Sequence, residues 1–434
     1  MNQSLIKSFL AAGLLCMGLQ QGVEAEGLEA AWDVALGRDL SLQASRDRVS
    51  AAEEELAAAR SMRLPNLTAS AGVTRFNEAP AFDFSGAGVP AILPLFGGEN
   101  MEMADARVTM PLYTGGAVSH GIDAASAMLS AQASHSDASA QQLKLTVAQH
   151  YINVLRARRA LEVADSTVKS LDAHVADVED MFRSGAVARN DYLSAAVSLA
   201  DSRQRHLQAR NALDLASAAY NRALGRKLDT PVNLDENLPG IDPQLDMDSL
   251  ESLTGAALAS RDELAGLQSA ADAYRSQSKA TRGQTLPQLA LTGGYTSLQN
   301  EFLNRDDFWM VGVGINWNLF DGGQARKKAS ALSYRALALS RERADLESMI
   351  ELQVRQSWLR LQETRERKRL TESAVEQAEE NLRVVRDRYR NGEGTNTEVL
   401  DAEMLRSLSR SNFDNAEFDA SLALYELARG VGRL

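Results

Sequence analysis

Glu398 and Asp401 stand three residues apart just after a glycine-bearing turn, and Asp191 holds a matching place after an earlier turn. On a helix such acids fall in the first turns, where they offset the helix dipole. The residues that would support bond-making chemistry are scattered. His120, His135, His150, His174 and His206 are spread along helical sequence without metal-ligand spacing, and read as solvated or seam histidines. No Ser/His/Asp set stands beside them, so a periplasmic hydrolase is an alternative without residues to carry it, and no cofactor is expected. The chemistry to look for is that of charges, turns and surfaces.

Charge and composition narrow the class. A formal net charge of −12 makes nucleic acid an improbable partner. Of the 434 residues, 44% are hydrophobic but only 6% aromatic, and Ala, Leu, Ser, Arg and Glu crowd the chain. That is the composition of long helices packed through small residues rather than of a thick globular core.

Residues 1–25 read as a signal peptide: Lys7 in the n-region, an apolar run from Ser8 to Leu19, and Val23-Glu24-Ala25 as the cleavage site. The run is far short of the ~20 residues of a spanning helix. Cys16, the only cysteine, lies inside it, so the mature chain is expected to hold no disulfide. A lipid-anchored Cys16 is the alternative, although Gly13-Leu14-Leu15 makes a poor lipobox.

The chain is written twice. Leu64-Pro65-Asn66-Leu67 recurs as Leu286-Pro287-Gln288-Leu289, Leu112-Tyr113-Thr114-Gly115-Gly116 as Leu319-Phe320-Asp321-Gly322-Gly323, and Phe182-Arg183-Ser184-Gly185 as Tyr389-Arg390-Asn391-Gly392. The offset is 222 for the first pair (287 − 65) and 207 for the others (323 − 116, 392 − 185), which places a longer loop, Asn77 to Met103, in the first copy. The prolines Pro80, Pro90 and Pro94 mark it as a mobile surface loop. The first repeat is expected over residues 26–227 and the second over 249–434, with 228–248 as linker.

Each copy predicts a helix, a β-hairpin, a long helix and a further helix. The hairpins are expected at 64–113 and 286–320, the long helices at 117–184 and 324–391, the closing helices at 190–225 and 396–430. Leu28 to Met62 and Leu250 to Gly283 are each expected as one helix before the strands. Ile122 to Ser184 and Gln324 to Asn391 contain neither Gly nor Pro, long enough at ~1.5 Å per residue for helices of roughly 95–100 Å. A four-three seam runs through Leu143, Val147, His150, Val154, Leu171, Val175, Val178 and Phe182, and again through Val375, Ala378, Leu382, Val385 and Tyr389. Asn190 or Asp191, and Thr395 or Thr397, are able N-caps after the two turns.

Val311, Val313, Ile315, Trp317 and Leu319 alternate with Gly312, Gly314, Asn316 and Asn318, the period-two pattern of a strand with an apolar, lipid-facing side. Ala104, Ala106, Val108, Met110 and Leu112 repeat it, with Asp105 and Arg107 on the other side. Strands of about ten residues cross a bilayer when tilted, but four cannot close a barrel, and open edges are not tolerated in lipid. Copies must pool strands, three giving twelve. A soluble four-stranded sheet capping a helical bundle, in a periplasmic or secreted coiled-coil protein without a pore, is the alternative reading.

The ordered, duplicated motifs, with the segment Tyr389-Arg390-Asn391-Gly392-Glu393-Gly394-Thr395-Asn396-Thr397-Glu398-Val399-Leu400-Asp401-Ala402, resemble the TolC-like outer-membrane efflux protein family over nearly the whole mature chain. The resemblance implies a mainly α homotrimer with a twelve-stranded β-barrel in outer-membrane lipid and a twelve-helix periplasmic tunnel. It also implies a periplasmic adaptor and an inner-membrane transporter of RND or ABC type as partners, in tripartite efflux or type I secretion. By motif position Tyr389 and Asp191 match the family's periplasmic gate pair, and Glu398 and Asp401 its acidic aperture ring. Gly394 stands where the type member carries a gate arginine, so that link is missing here. Gly185, Ala186, Val187, Ala188, Gly392, Gly394 and Val399 form tips placed for adaptor contact, or simply pack the turns.

Overall fold

The computed structural model describes residues 25–83, 86, 92–94, 99–241, 245, 249–299 and 304–434. Residues 1–24 with Cys16, and Pro90 with parts of the long loop and linker, lie outside the described residues. In chain order the elements are α1 (Leu28–Arg38), α2 (Leu40–Ser61), β1 (Asn66–Arg75), β2 (Ala81–Asp83), β3 (Ile92–Pro94), β4 (Asn100–Tyr113), α3 (Ala117–Arg183) and α4 (Arg189–Ala223) in the first copy. The second holds α5 (Leu250–Ser260), α6 (Asp262–Gly283), β5 (Gln288–Leu298), β6 (Asp307–Asn316), α7 (Gln324–Arg390) and α8 (Asn396–Gly430). Corresponding helices have equal lengths in the two copies: 11, 22, 67 and 35 residues. Among the described residues no helix is long and apolar enough to cross a membrane.

The single helix expected before each hairpin is two. Asp39 ends α1 with an extended backbone, and its carboxylate accepts the Leu42 N–H at 2.8 Å, capping α2. Arg261, 222 residues later, adopts the same extended geometry before α6, and its guanidinium is held by Glu263 at 2.9 Å. A capping side-chain bond marks the first break, and the second has an extended N-cap without one.

The chain gathers into two compact units. One comprises Met1–Gln43, Ser139–Ser260 and Ile350–Leu434. Its core centres on the fully buried Tyr151, Tyr220 and Tyr425, with Leu28, Ile152 and Leu224. The Tyr151 hydroxyl sits 2.7 Å from both the Glu26 and Asp235 carbonyl oxygens, so even this buried polar end is satisfied.

The other unit, Ala44–Ala138 and Arg261–Met349, holds an antiparallel sheet of order β1-β4-β5-β6. Leu67 lies opposite Val108, Val108 opposite Gly293, and Gly293 opposite Val311, so the apolar alternates of all four strands share one face. On the other face Thr68 lies opposite Arg107, Arg107 opposite Gly294, and Ser70 bonds Asp105. Shifting the β1–β4 register by the two sequence offsets reproduces that of β5–β6: Leu67 opposite Val108 becomes Leu289 opposite Ile315. Every residue of β1 and β6 is exposed, and neither outer edge is paired with another described strand.

β6 stops at Asn316, so Trp317 and Leu319 lie beyond the strand rather than on it. Trp317 Nε1 donates to the Thr285 carbonyl at 3.1 Å, and Asp321 accepts the Gly323 and Ala325 N–H groups at 2.8 Å, turning the chain into α7. Within the loop read over Asn77 to Met103, β2 and β3 pair as a short hairpin, and β4 already begins at Asn100.

Candidate functional site at the paired helical tips

α3 and α7 each end in the same turn. Gly185 (φ +79°) and Gly392 (φ +78°) take the left-handed conformation that reverses the chain at low cost only for glycine. The restarts differ. Thr395 caps α8, its Oγ1 accepting the Glu398 N–H while the Glu398 carboxylate accepts the Thr395 N–H, both at 3.3 Å. α4 starts one turn earlier than Asp191 would set it: Ala188 is its N-cap and offers no side-chain bond, so Asn190 and Asp191 fall inside the first turn. Thr397 likewise lies inside α8. Gly394 is crowded; a Cβ there would stand 3.2 Å from both the Tyr389 nitrogen and Glu398 Oε2.

Behind the turns the tips share a small apolar core of Val178, Ala195, Tyr389 and Val399. Val399, expected at an exposed tip, is only 1% exposed, because the capping box starts α8 in a register that turns it inward. Ala186 and Ala188 are exposed and Val187 is half-buried. Phe182, at the end of the predicted seam, is exposed and stacks on Tyr192 with ring centroids 6.3 Å apart.

Tyr389 and Asp191 are near neighbours but not bonded: the buried Tyr389 hydroxyl has no hydrogen-bond partner among the described residues. Burial raises its pKa, with the Asp191 and Asp177 charges adding in the same direction. The link between the tips runs instead through His174 and Asn396. His174, 4% exposed, places Nε2 2.8 Å from Asn396 Oδ1, and Asn396 Nδ2 donates to the Asp191 carbonyl at 3.1 Å and to Ser194 Oγ at 2.8 Å. With the amide nitrogen committed, Nε2 carries the imidazole proton. The His174 ring meets the edge of Tyr389 at 5.4 Å.

One turn deeper, Glu403 is 1% exposed and answers two cations, Arg406 at 2.5 Å and Arg386 at 3.1 Å, and accepts from Ser170 at 2.7 Å. Arg386 also bonds Ser170. Burial lowers the Arg386 pKa, opposed by the Glu403 charge. Arg390 adds an exposed bridge to Asp177 at 2.8 Å. The arrangement is a charged and hydrogen-bonded clasp drawing α3, α7 and the starts of α4 and α8 together.

Of the expected acids, Glu398 is occupied as half of the capping box and Asp401 is exposed. Asn396, Val399, Glu403 and Arg406 recur on one face of α8, and a carboxylate on that stripe was the signal that could have pointed to the clasp. The sequence reading also passed over a groove of about 750 Å3 between α4 and α8 over α3, lined by Val163, Leu171, Ser198, Leu400, Met404 and Leu408 among others.

Residues 31–226 and 253–433 match the family model described as Outer membrane efflux protein. The chain is 22% identical over 437 residues to the outer membrane efflux protein BepC of Brucella suis, covering 99% of this chain and 91% of that one. It is 25% identical over 446 residues to the outer membrane protein TolC of Vibrio cholerae, covering 100% and 96%. The crystal structure of the outer membrane protein VceC of Vibrio cholerae superposes with a TM-score of 0.79 at 19% identity, over 93% of this chain and 96% of that one.

Proposed function

Because the chain belongs to the outer membrane efflux protein family, it is a transport protein of the outer membrane, and we propose that three copies pool their strands into a twelve-stranded barrel whose polar face lines the exit duct. The observation that carries this reading is the cross-strand register. It collects the apolar alternates of all four strands on one face and leaves β1 and β6 unpaired at the edges. In hydrocarbon such edges must find partners, and the smallest membrane barrels need about eight strands. Purified protein should migrate as a heat-modifiable trimer and give stepwise conductance in planar bilayers; a chain that stays monomeric and water-soluble without detergent would overturn it.

In this reading α3 and α7 wall a periplasmic tunnel and the clasped tips close it. The groove between α4 and α8 seats a helix of a periplasmic adaptor, which couples the channel to an inner-membrane transporter. Its lining of small and apolar residues, with Asp201, Arg205 and Asp401 among them, supports that role more directly than the exposed tip alanines do. No catalytic step is assigned to any residue. Glu398, repeated around a threefold axis, puts three carboxylates at the aperture and favours cations there, whereas Asp401, read from the sequence as part of that ring, lines the groove between α4 and α8 instead. Exchanging Glu398 for Gln should lower cation selectivity in single-channel recordings; unchanged selectivity would leave Glu398 as a helix cap alone.

A further inference from the structure

α6 ends only a few residues before β5 begins, so its last cations stand where the sheet starts. Arg275, Lys279 and Arg282 line a cavity of about 410 Å3 together with Ser278 of the same helix and Ser333 and Ser340 of α7. Arg275 is committed, donating to Asp272 at 2.6 Å and to Ser340 at 2.9 Å. Lys279 and Arg282, both exposed, have no carboxylate within ion-pair distance among the described residues. In a chain of net charge −12, unanswered cations gathered at one level are a departure, and Arg326, Lys327 and Lys328 in the first turns of α7 extend them.

The side of the wall that this cavity faces follows from chain chirality. The Gln299 N–H runs to Glu102 on β4 and the Leu298 N–H to Asp306 on the β6 side. For L-residues this sets β6 to the left of β5 when the apolar face is viewed with the helices below. α6 keeps that order, with Gly266 against Ala131 and Ser134 of α3 and Ser278 bonded to Ala329 of α7. A rising right-handed helix crosses its near side from left to right. The residue after the left-pointing Ser278 is therefore turned to the viewer, and Lys279, with Arg275 and Arg282 beside it, shares the side of the apolar sheet face.

We propose that this pocket seats the phosphodiester headgroup of an anionic phospholipid in the leaflet adjoining the helices. The site rests on the barrel reading above, which places the apolar sheet face in lipid. Arg282 precedes the first strand residue by a short turn, and Lys and Arg stems reach several ångströms along an apolar surface to hold their charge at the headgroup level. The two free cations answer the phosphate charge. The serine hydroxyls already donate to backbone carbonyls, Ser278 and Ser333 to Ala329 and Ser340 to Ala336, so they shape the pocket and leave the charge contact to Lys279 and Arg282.

The test is native mass spectrometry of the detergent-purified protein titrated with phosphatidylglycerol or phosphatidylethanolamine, beside a Lys279→Gln/Arg282→Gln variant. The wild type should retain phosphatidylglycerol preferentially, and the variant should lose that retention by roughly 10–30-fold with bilayer conductance unchanged. Equal retention of the two lipids, undiminished binding by the variant, or displacement of the lipid by millimolar inorganic phosphate would each overturn the site. Channel formation with unselective lipid binding sinks this site alone. Failure of the wild type to form channels sinks the barrel reading and the site with it.

Discussion

The turn between α3 and α4 and the turn between α7 and α8 follow nearly the same backbone path, with Gly185 and Gly392 within a degree of each other in φ. Their chemistry has diverged. The second turn is secured locally by Thr395 and Glu398, whereas the first offers Ala186, Val187 and Ala188 and no side-chain cap. What orders the first tip is its neighbour, through Asn396 on the Asp191 carbonyl and Arg390 on Asp177. One hairpin end is self-sufficient and the other is borrowed, so loosening the clasp should release the α3–α4 tip first.

The largest effect is expected from Glu403→Ala, which leaves the half-buried Arg386 and Arg406 without their carboxylate, at a cost of about 3 kcal/mol. A lowered trimer melting temperature with raised closed-state conductance would show it; a neutral outcome would remove the clasp from the account. Asn396→Ala should cost about 1–3 kcal/mol by leaving His174 without its acceptor and the Asp191 carbonyl with Ser194 as its remaining side-chain donor, and hydrogen exchange should quicken at Arg189–Ser194 more than at Asn396–Leu400. Equal quickening at both tips would contradict the asymmetry. Smaller still, Thr395→Ala should cost about 1 kcal/mol, while Ala188→Ser should stabilise the uncapped tip by about 0.5–1 kcal/mol, read as thermal shifts of opposite sign.

Acid should act on the same joint. Burial is the main cause holding the His174 pKa below its ordinary 6.5; Arg386 acts in the same direction, and the bond to Asn396 and the charges of Asp177 and Glu403 oppose it. The unfolded chain therefore binds this proton first, and stability falls as pH drops from about 6.5 toward the lowered folded value. Exchange protection at the first tip, after allowance for the intrinsic slowing of amide exchange by acid, should fall between pH 7.5 and 5.5 and lose that dependence in His174→Gln; a response of protection to pH retained by the variant would assign it elsewhere.

Much of this molecule was legible beforehand, for physical reasons that differ by region. Period-two alternation exposed the strands because one face must be apolar, and the absence of Gly and Pro exposed α3 and α7 because only unbroken helices tolerate it so long. The breaks at Asp39 and Arg261 were invisible, since neither residue type forbids a helix interior; Asp39 caps α2 with its carboxylate, whereas Arg261 starts α6 without a side-chain cap. The clasp was harder to see. His174 and Asn396 are 222 residues apart, and Glu403 reads as an ordinary helical acid until its two arginines are brought to it from α7 and from its own next turn. Tyr389 and Asp191, matched to a gate pair by motif position, lie near one another, but Tyr389 contributes a ring there and not a hydroxyl bond.

The pairing of β4 with β5 joins the last strand of one copy to the first strand of the next, and in the proposed barrel it would stand for a subunit boundary sewn into a single polypeptide. If every boundary around a closed ring is alike, the stitch is its pattern: Val108 beside Gly293, carried forward by 207 on one side and back by 222 on the other, sets Ile315 beside Ala71 of the following molecule. Three chains would then behave as six quasi-equivalent staves, and the ring's rotational order would be nearer six than three.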